Sequence, residues 1–119
     1  DLLSVASYDT PAFGKAGWPA ETQLAWPILA ARRFSDINRA LLLEAGAALN
    51  LAKSTAERLL DHLRIRVVPL AEELYAEFEA ENTRIVSVRP ELAATLAGES
   101  RCLRAIIHTV IGEMVQRIA

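Results

Sequence analysis

From residue 35 onward the apolar positions of this chain fall at helical spacing. In the stretch SDINRALLLEAGAALN, Ile37, Leu41, Ala45 and Leu49 recur at near-helical intervals, and Leu42 and Leu43 widen the face. With Ser35 placed as an N-cap, the pattern predicts a largely buried helix. TAERLLDHLRIRV repeats the stripe with Leu59, Leu60 and Leu63, behind an S-x-x-E capping box made of Ser54 and Glu57. Pro69 starts or kinks a further helix, LAEELYAEFEAEN, which carries Leu70, Leu74 and Phe78 inward and a row of Glu outward. The last segment sets Leu92, Leu96, Leu103, Ile107, Val110, Met114 and Ile118 along one seam. Glu99, beside Gly98, interrupts that seam and predicts a break or bend, with the stronger helix running from about Ser100 to the end.

The first 34 residues follow another rule. They hold three of the five Pro (Pro11, Pro19 and Pro27), Gly14, Gly17 and both Trp, which excludes a long regular helix. LLSV and LAWPI are of strand length, and AFGKAGWPAET between them reads as a loop, of the kind that serves a site or an interface. The expected organisation is thus an extended and loop segment over 1–34 followed by one helical domain over 35–119, with a mainly α fold overall. No internal repeat or low-complexity tract interrupts it.

Composition narrows the class. With 119 residues, 52% of them hydrophobic and 24% charged, the chain can bury a core and is not a disordered tail. A net charge of −2 gives no global reason to bind nucleic acid or an anionic membrane. The single cysteine, Cys102, cannot form an internal disulfide and suits a reducing cytoplasm, and no apolar run is long enough for a membrane span. The chain opens on Asp1 fused directly to Leu-Leu, with no initiator Met, which reads as a cut through something larger.

Several chemistries are disfavoured by the residues themselves. His62 and His108 are isolated and, with one Cys, make no zinc pattern. There is no G-x-S-x-G elbow, no G-x-G-x-x-G and no Walker loop. The helix pair around LLLEAGAALNLAKSTAERLLDHLR has the turn length of a helix-turn-helix, with Ser54, Thr55 and Arg58 where base contacts would come. Glu57 and Asp61 on the same helix oppose phosphates, and the one doubled basic site, Arg32 and Arg33, is too small for a nucleic-acid surface, so direct DNA binding is not expected.

The order of segments resembles the C-terminal part of HipA-like serine/threonine kinases. These typically read YD-[LIV]-[LIV]-S, then LAM-S-I, then a basic-aromatic-x-D-I stretch, then a helix ending near L-G-L. Here the corresponding stretches are DLLS, LAWPI, RRFSDI and the helix ending ALNL, followed by AERLLDHL and a final long helix, so that the likeness spans essentially the whole chain. It departs from the pattern at Trp26-Pro27, where the family usually has Met-Ser, at ILAA, which replaces the usual Gly pair, and at Asn50, which replaces the Gly of L-G-L.

The resemblance implies a helical bundle matching the C-terminal lobe of such a kinase, with 1–34 at the edge of the active site. It also implies that Asp1 is a metal-binding acid at the mouth of the ATP site, analogous to the Asp of D-F-G. The parent reaction would be ATP-dependent phosphorylation of a protein Ser or Thr with Mg²⁺. The family's nucleotide-covering loop, phosphate-binding Lys and catalytic loop lie upstream of this stretch, so these 119 residues alone are expected to be inactive and to hold neither ATP nor Mg²⁺. The implied partners are the remainder of the kinase, a protein substrate and a HipB-like antitoxin. Two rival readings are a helix-turn-helix or antitoxin-like DNA-binding module that uses the turn at Asn50 to Lys53, and a helical interaction module that pairs through the Leu92 to Ile118 seam.

Overall fold

A single helix sets the length of the molecule. The computed structural model describes residues 6–119. Asp1 and the stretch LLSV therefore lie outside the described residues. Within them the order is a 3₁₀ turn over Pro11–Phe13, strands β1 (Gln23–Ile28) and β2 (Ala31–Arg33), a 3₁₀ turn over Phe34–Asp36, and helices α1 (Arg39–Ala48) and α2 (Lys53–Val88). A 3₁₀ turn over Pro90–Leu92 leads into α3 (Ala93–Arg104), which continues as a π-helical stretch over Ala105–Ile111 into α4 (Gly112–Arg117). The fold is mainly helical, as the periodicity predicted. At 1.5 Å per residue α2 is about 54 Å long, which accounts for the 52 Å long axis of a molecule only 28 by 19 Å across.

LAWPI lies in β1, which pairs antiparallel with β2. The register runs from Ile28 opposite Ala31 to Gln23 opposite Arg33, with an irregularity between. Pro27, which has no N–H to give a ladder, lies within the irregular part. The hairpin belongs to the helical body: Ala31, Ile37 and Ile118 are buried together, with Leu24, Ile28, Leu41, Leu42 and Met114 packed around them.

The boundaries of α1 and α2 differ from those the sequence predicts. Ser35 is not an N-cap. Phe34–Asp36 forms a separate 3₁₀ turn, and Asn38 caps α1, its Oδ1 accepting the backbone N–H of Leu41 at 3.0 Å. Asn38 is as good a cap as Ser, and Ile37 ahead of it is drawn out of the helix into the core. Nor do Ser54 and Glu57 form a capping box, because α2 begins two residues too early for it: Ala52 holds the N-cap position, and Glu57 pairs with Lys53 at 3.8 Å.

Pro69 neither starts nor ends a helix. It lies inside α2 on an exposed turn, where the backbone bond it cannot donate is lost at the solvent face, near exposed Ile65, rather than in the core. The helix also presents two apolar faces. Ala56, Leu60, Val67, Ala71, Tyr75 and Phe78 are buried or half-buried. Leu59, Leu63, Leu70 and Leu74, which the stripe places inward, are instead exposed.

In the last segment the helix passes through Gly98 without a break, and its irregularity comes later as the wider π turns of Ala105–Ile111. The seam is nonetheless real: Ile107, Val110 and Ile118 are buried and Leu92, Leu96, Leu103 and Met114 half-buried, while Glu99 faces out. No helix among the described residues is long and apolar enough to cross a membrane.

Candidate functional site

The segment from Ala6 to Ile37 forms a folded platform against the helices. The loop AFGKAGWPAET is closed by Asp9, whose carbonyl oxygen accepts the backbone N–H of Trp18 at 3.0 Å and whose Oδ2 accepts the hydroxyl of Thr22 at 2.9 Å. Thr10 is fully buried and donates from Oγ1 to the carbonyl oxygen of Ser7 at 2.6 Å. Burying these hydroxyls is tolerable only because each finds such a partner. Ring contacts finish the loop: Tyr8 meets Phe13 edge-on and Trp18 meets Phe34, both with centroids 5.0 Å apart, and the Arg101 guanidinium stands 5.6 Å over Phe13. Ser7 Oγ lies 3.4 Å from Cys102 Sγ, which ties the start of this platform to α3.

Asp36 organises the exit from the hairpin. Its Oδ2 accepts the backbone N–H groups of Arg32 at 3.0 Å and Arg33 at 2.9 Å. Those two bonds, the Arg32 N–H first, hold its carboxyl below the ordinary carboxylate value of 3.8. Asp36 is thus a turn clamp rather than the first acid of a helix.

Two positions in this region carry a backbone that L-residues rarely adopt. Leu29, at the first position of the two-residue hairpin turn, has φ of 52°, and Asn50, just after α1, has φ of 61°. At Asn50 the reason is visible. The N–H of Leu51 bonds the carbonyl of Gly46 and that of Asn50 bonds the carbonyl of Ala47, both at 2.9 Å, which is the Schellman closure of a helix end. The chain then returns so tightly that a Cβ on Gly46 would stand 3.3 Å from the Cβ of Ala56.

An open groove of about 480 Å³ runs between the second half of α2 and α3. Along its wall Ser100 donates to Glu79 Oε1 at 2.6 Å, so the Tyr75 hydroxyl, 2.8 Å away, must donate to Ser100. The relay fixes Glu79 and joins α2 to α3, with Asn82, Arg101 and Arg104 along the rim.

The residues singled out from the sequence are scattered. His62 and His108 are both exposed and far from each other along the chain. Ser54 and Arg58 are exposed at the start of α2, Thr55 is half-buried, and Asp61 is engaged by Arg39 at 2.9 Å. Among the described residues no three His, Cys, Asp or Glu side chains stand together as a metal-ion set. The platform built by Asp9, Thr22 and Asp36 has no signature in the sequence, since single Asp and Thr residues in a loop carry no periodic signal. No protein-family model, curated protein or solved structure matches the chain.

Proposed function

We propose that these residues are the C-terminal helical part of a HipA-like serine/threonine kinase, whose reaction is ATP-dependent phosphorylation of a protein Ser or Thr. The observation that carries this reading is the backbone at Leu29 and Asn50. They are the non-glycine residues of positive φ among the described residues, and they fall at the ILAA turn and the ALNL helix end, the two places where the HipA-like pattern has glycine. Asn tolerates this conformation and Leu does so at a cost, so the fold keeps a glycine geometry where the glycine itself has been replaced.

The RRFSDI stretch supports the same reading with a physical role for its Asp and its Ile. Asp36 clamps the turn after β2, and Ile37 enters the core beside Ala31 and Ile118. In this account the present residues supply a rigid platform under the active site and Asp1 as the metal-binding acid. The described residues offer no ligand set of their own for Mg²⁺. Nucleotide, Mg²⁺ and catalytic base are the work of the upstream lobe together with Asp1, in a cytoplasmic protein partnered by a HipB-like antitoxin.

The reading frame before Asp1 tests the proposal. It is expected to carry a Tyr immediately upstream and, a hairpin's length earlier, a catalytic loop of the D-x-H-x-K-N kind. A frame with neither motif overturns the assignment.

A further inference from the structure

The open groove of about 480 Å³ between α2 and α3 is apolar at one end and cationic at the other. The hydrogen bond from Ser100 to Glu79 sets the register of the two antiparallel helices. Val86 and Ala93 therefore line the end near the Pro90 turn, with Leu96 beside them, and Arg101 and Arg104 line the far end. Spacings of three and four residues keep both arginines on the same side of α3 as Ala93 and Ala97.

The two arginines are uncommitted. Among the described residues neither enters an ion pair, although Glu79 lines the same groove. The Phe13 ring supports Arg101 from the platform side, 5.6 Å from guanidinium to centroid, and so holds a charge at the groove mouth without neutralising it. Glu79 is the acid among the lining residues, and two guanidinium groups outweigh it, leaving the groove net positive. Its Oε1 takes the Ser100 hydroxyl, while its Oε2 and the Asn82 amide have no hydrogen-bond partner among the described residues.

This mixture selects its occupant. A bare anion would use the arginines alone, and an acyl chain would press hydrocarbon against Glu79 and Asn82. An extended peptide uses all three parts. From the level of Ala93 to midway between Arg101 and Arg104 is about 14 Å along α3. Four residues of extended chain cover about that distance, and side chains four residues apart on such a chain share one face.

We propose that this groove binds an extended segment of a partner protein that carries an apolar side chain and, four residues away, an Asp or Glu. The apolar side chain rests on Val86, Ala93 and Leu96, the carboxylate accepts from Arg101 and Arg104, and the backbone between them meets Asn82 and Glu79.

Selection of phage-displayed random peptides of seven residues on the full 119-residue chain tests this. The expected consensus is an aliphatic or aromatic residue four places from Asp or Glu. A selected peptide, labelled with fluorescein, should lose at least about tenfold in affinity for the Arg101→Gln, Arg104→Gln double variant. It should lose as much on wild type when its acid is replaced by the amide, with no further loss when both changes are combined. Ala97→Trp, at an exposed position whose new side chain fills the groove, should abolish binding with unchanged circular dichroism. No enrichment over the arginine double variant, a consensus without an acid, or binding indifferent to Ala97→Trp overturns the proposal. Self-association of wild type that Ala97→Trp abolishes also overturns it, by giving the groove to a second copy. Failure of the kinase reading leaves these outcomes untouched, since none involves ATP or Asp1.

Discussion

Nη1 of Arg39, on the first turn of α1, donates to Oδ1 of Asp61 on α2 at 2.9 Å and to the carbonyl oxygen of Ile118 at 3.2 Å. One guanidinium therefore joins the start of α1, the flank of α2 and the end of the chain. Arg117 reinforces the join by donating from Nη1 to the carbonyl oxygen of Ser35 at 2.9 Å. Arg39→Ala should lower the melting temperature more than Asp61→Asn, because it frees two acceptors on two elements rather than weakening one contact. Equal melting temperatures for the two variants would show that the bond to Ile118 contributes nothing.

Acid should find the same joints. The hydrogen bond from Arg39 holds the Asp61 carboxyl below its ordinary value of 3.8, and the backbone N–H groups of Arg32 and Arg33 do the same for Asp36. Groups depressed in this way stabilise the fold at every pH above the ordinary carboxylate value and lose that contribution as pH falls through the lower folded values. The bond to Asp61 raises the Arg39 guanidinium still further above this range, so it changes nothing here. Urea midpoints should be flat near neutrality with respect to these groups and fall below pH about 4. The fall should be shallower in Asp61→Asn and Asp36→Asn, and an unchanged slope in both would assign acid sensitivity elsewhere.

Leu29 should improve on replacement by glycine. A left-handed backbone costs an L-residue roughly 1–2 kcal/mol, and glycine gives back part of that through its freedom in the unfolded chain, leaving a net gain of about 1 kcal/mol for Leu29→Gly. Asn50→Gly should be close to neutral, and Asn50→Val should destabilise by at least about 1 kcal/mol. Chemical denaturation measures all three, and a destabilised Leu29→Gly would mean that the half-exposed leucine packs better than its exposure indicates.

The two faces of α2 make a further contrast with the buried seam. Val110 has no exposed surface, so Val110→Ala should cost about 1–3 kcal/mol, whereas Leu59→Ala, at a half-exposed position, should cost under about 1 kcal/mol. Chemical denaturation is the measurement. Equal losses would place Leu59 in the core after all.

What could be read from the sequence divides along physical lines. The helical body, the strand at LAWPI and the seam ending at Ile118 were legible because periodicity and proline placement report directly on local structure. The orientation of α2 was not. Leucines occupy both its faces, and only the tertiary fold decides whether Leu60 or Leu59 turns inward. The capping box at Ser54 and Glu57 failed for a related reason: the Schellman closure onto Gly46 brings the chain round so quickly that α2 starts at Lys53. Asp36 directly follows Ser35, the N-cap the sequence predicts, and its role in clamping Arg32 and Arg33 depends on a hairpin whose register no local pattern encodes.

Mg²⁺-ATP should not bind these 119 residues tightly. The described residues offer no set of acidic side chains for the ion, and Asp1 alone would hold it weakly against its water shell. Titration calorimetry showing tight, Mg²⁺-dependent binding of ATP to this chain would contradict the division of labour proposed here.

The most direct test of the kinase assignment is phosphoryl transfer by the protein extended upstream of Asp1, comparing Asp1→Asn with Asp36→Asn. Asp1→Asn keeps shape and volume while removing the charge proposed to hold Mg²⁺, so transfer from labelled ATP should be abolished with the melting temperature nearly unchanged. Asp36→Asn weakens the clamp on Arg32 and Arg33 and should lower the melting temperature while leaving transfer intact below it. Full activity in a folded Asp1→Asn protein would contradict the assignment of Asp1, and no transfer from the wild-type extended protein would contradict the kinase reading itself.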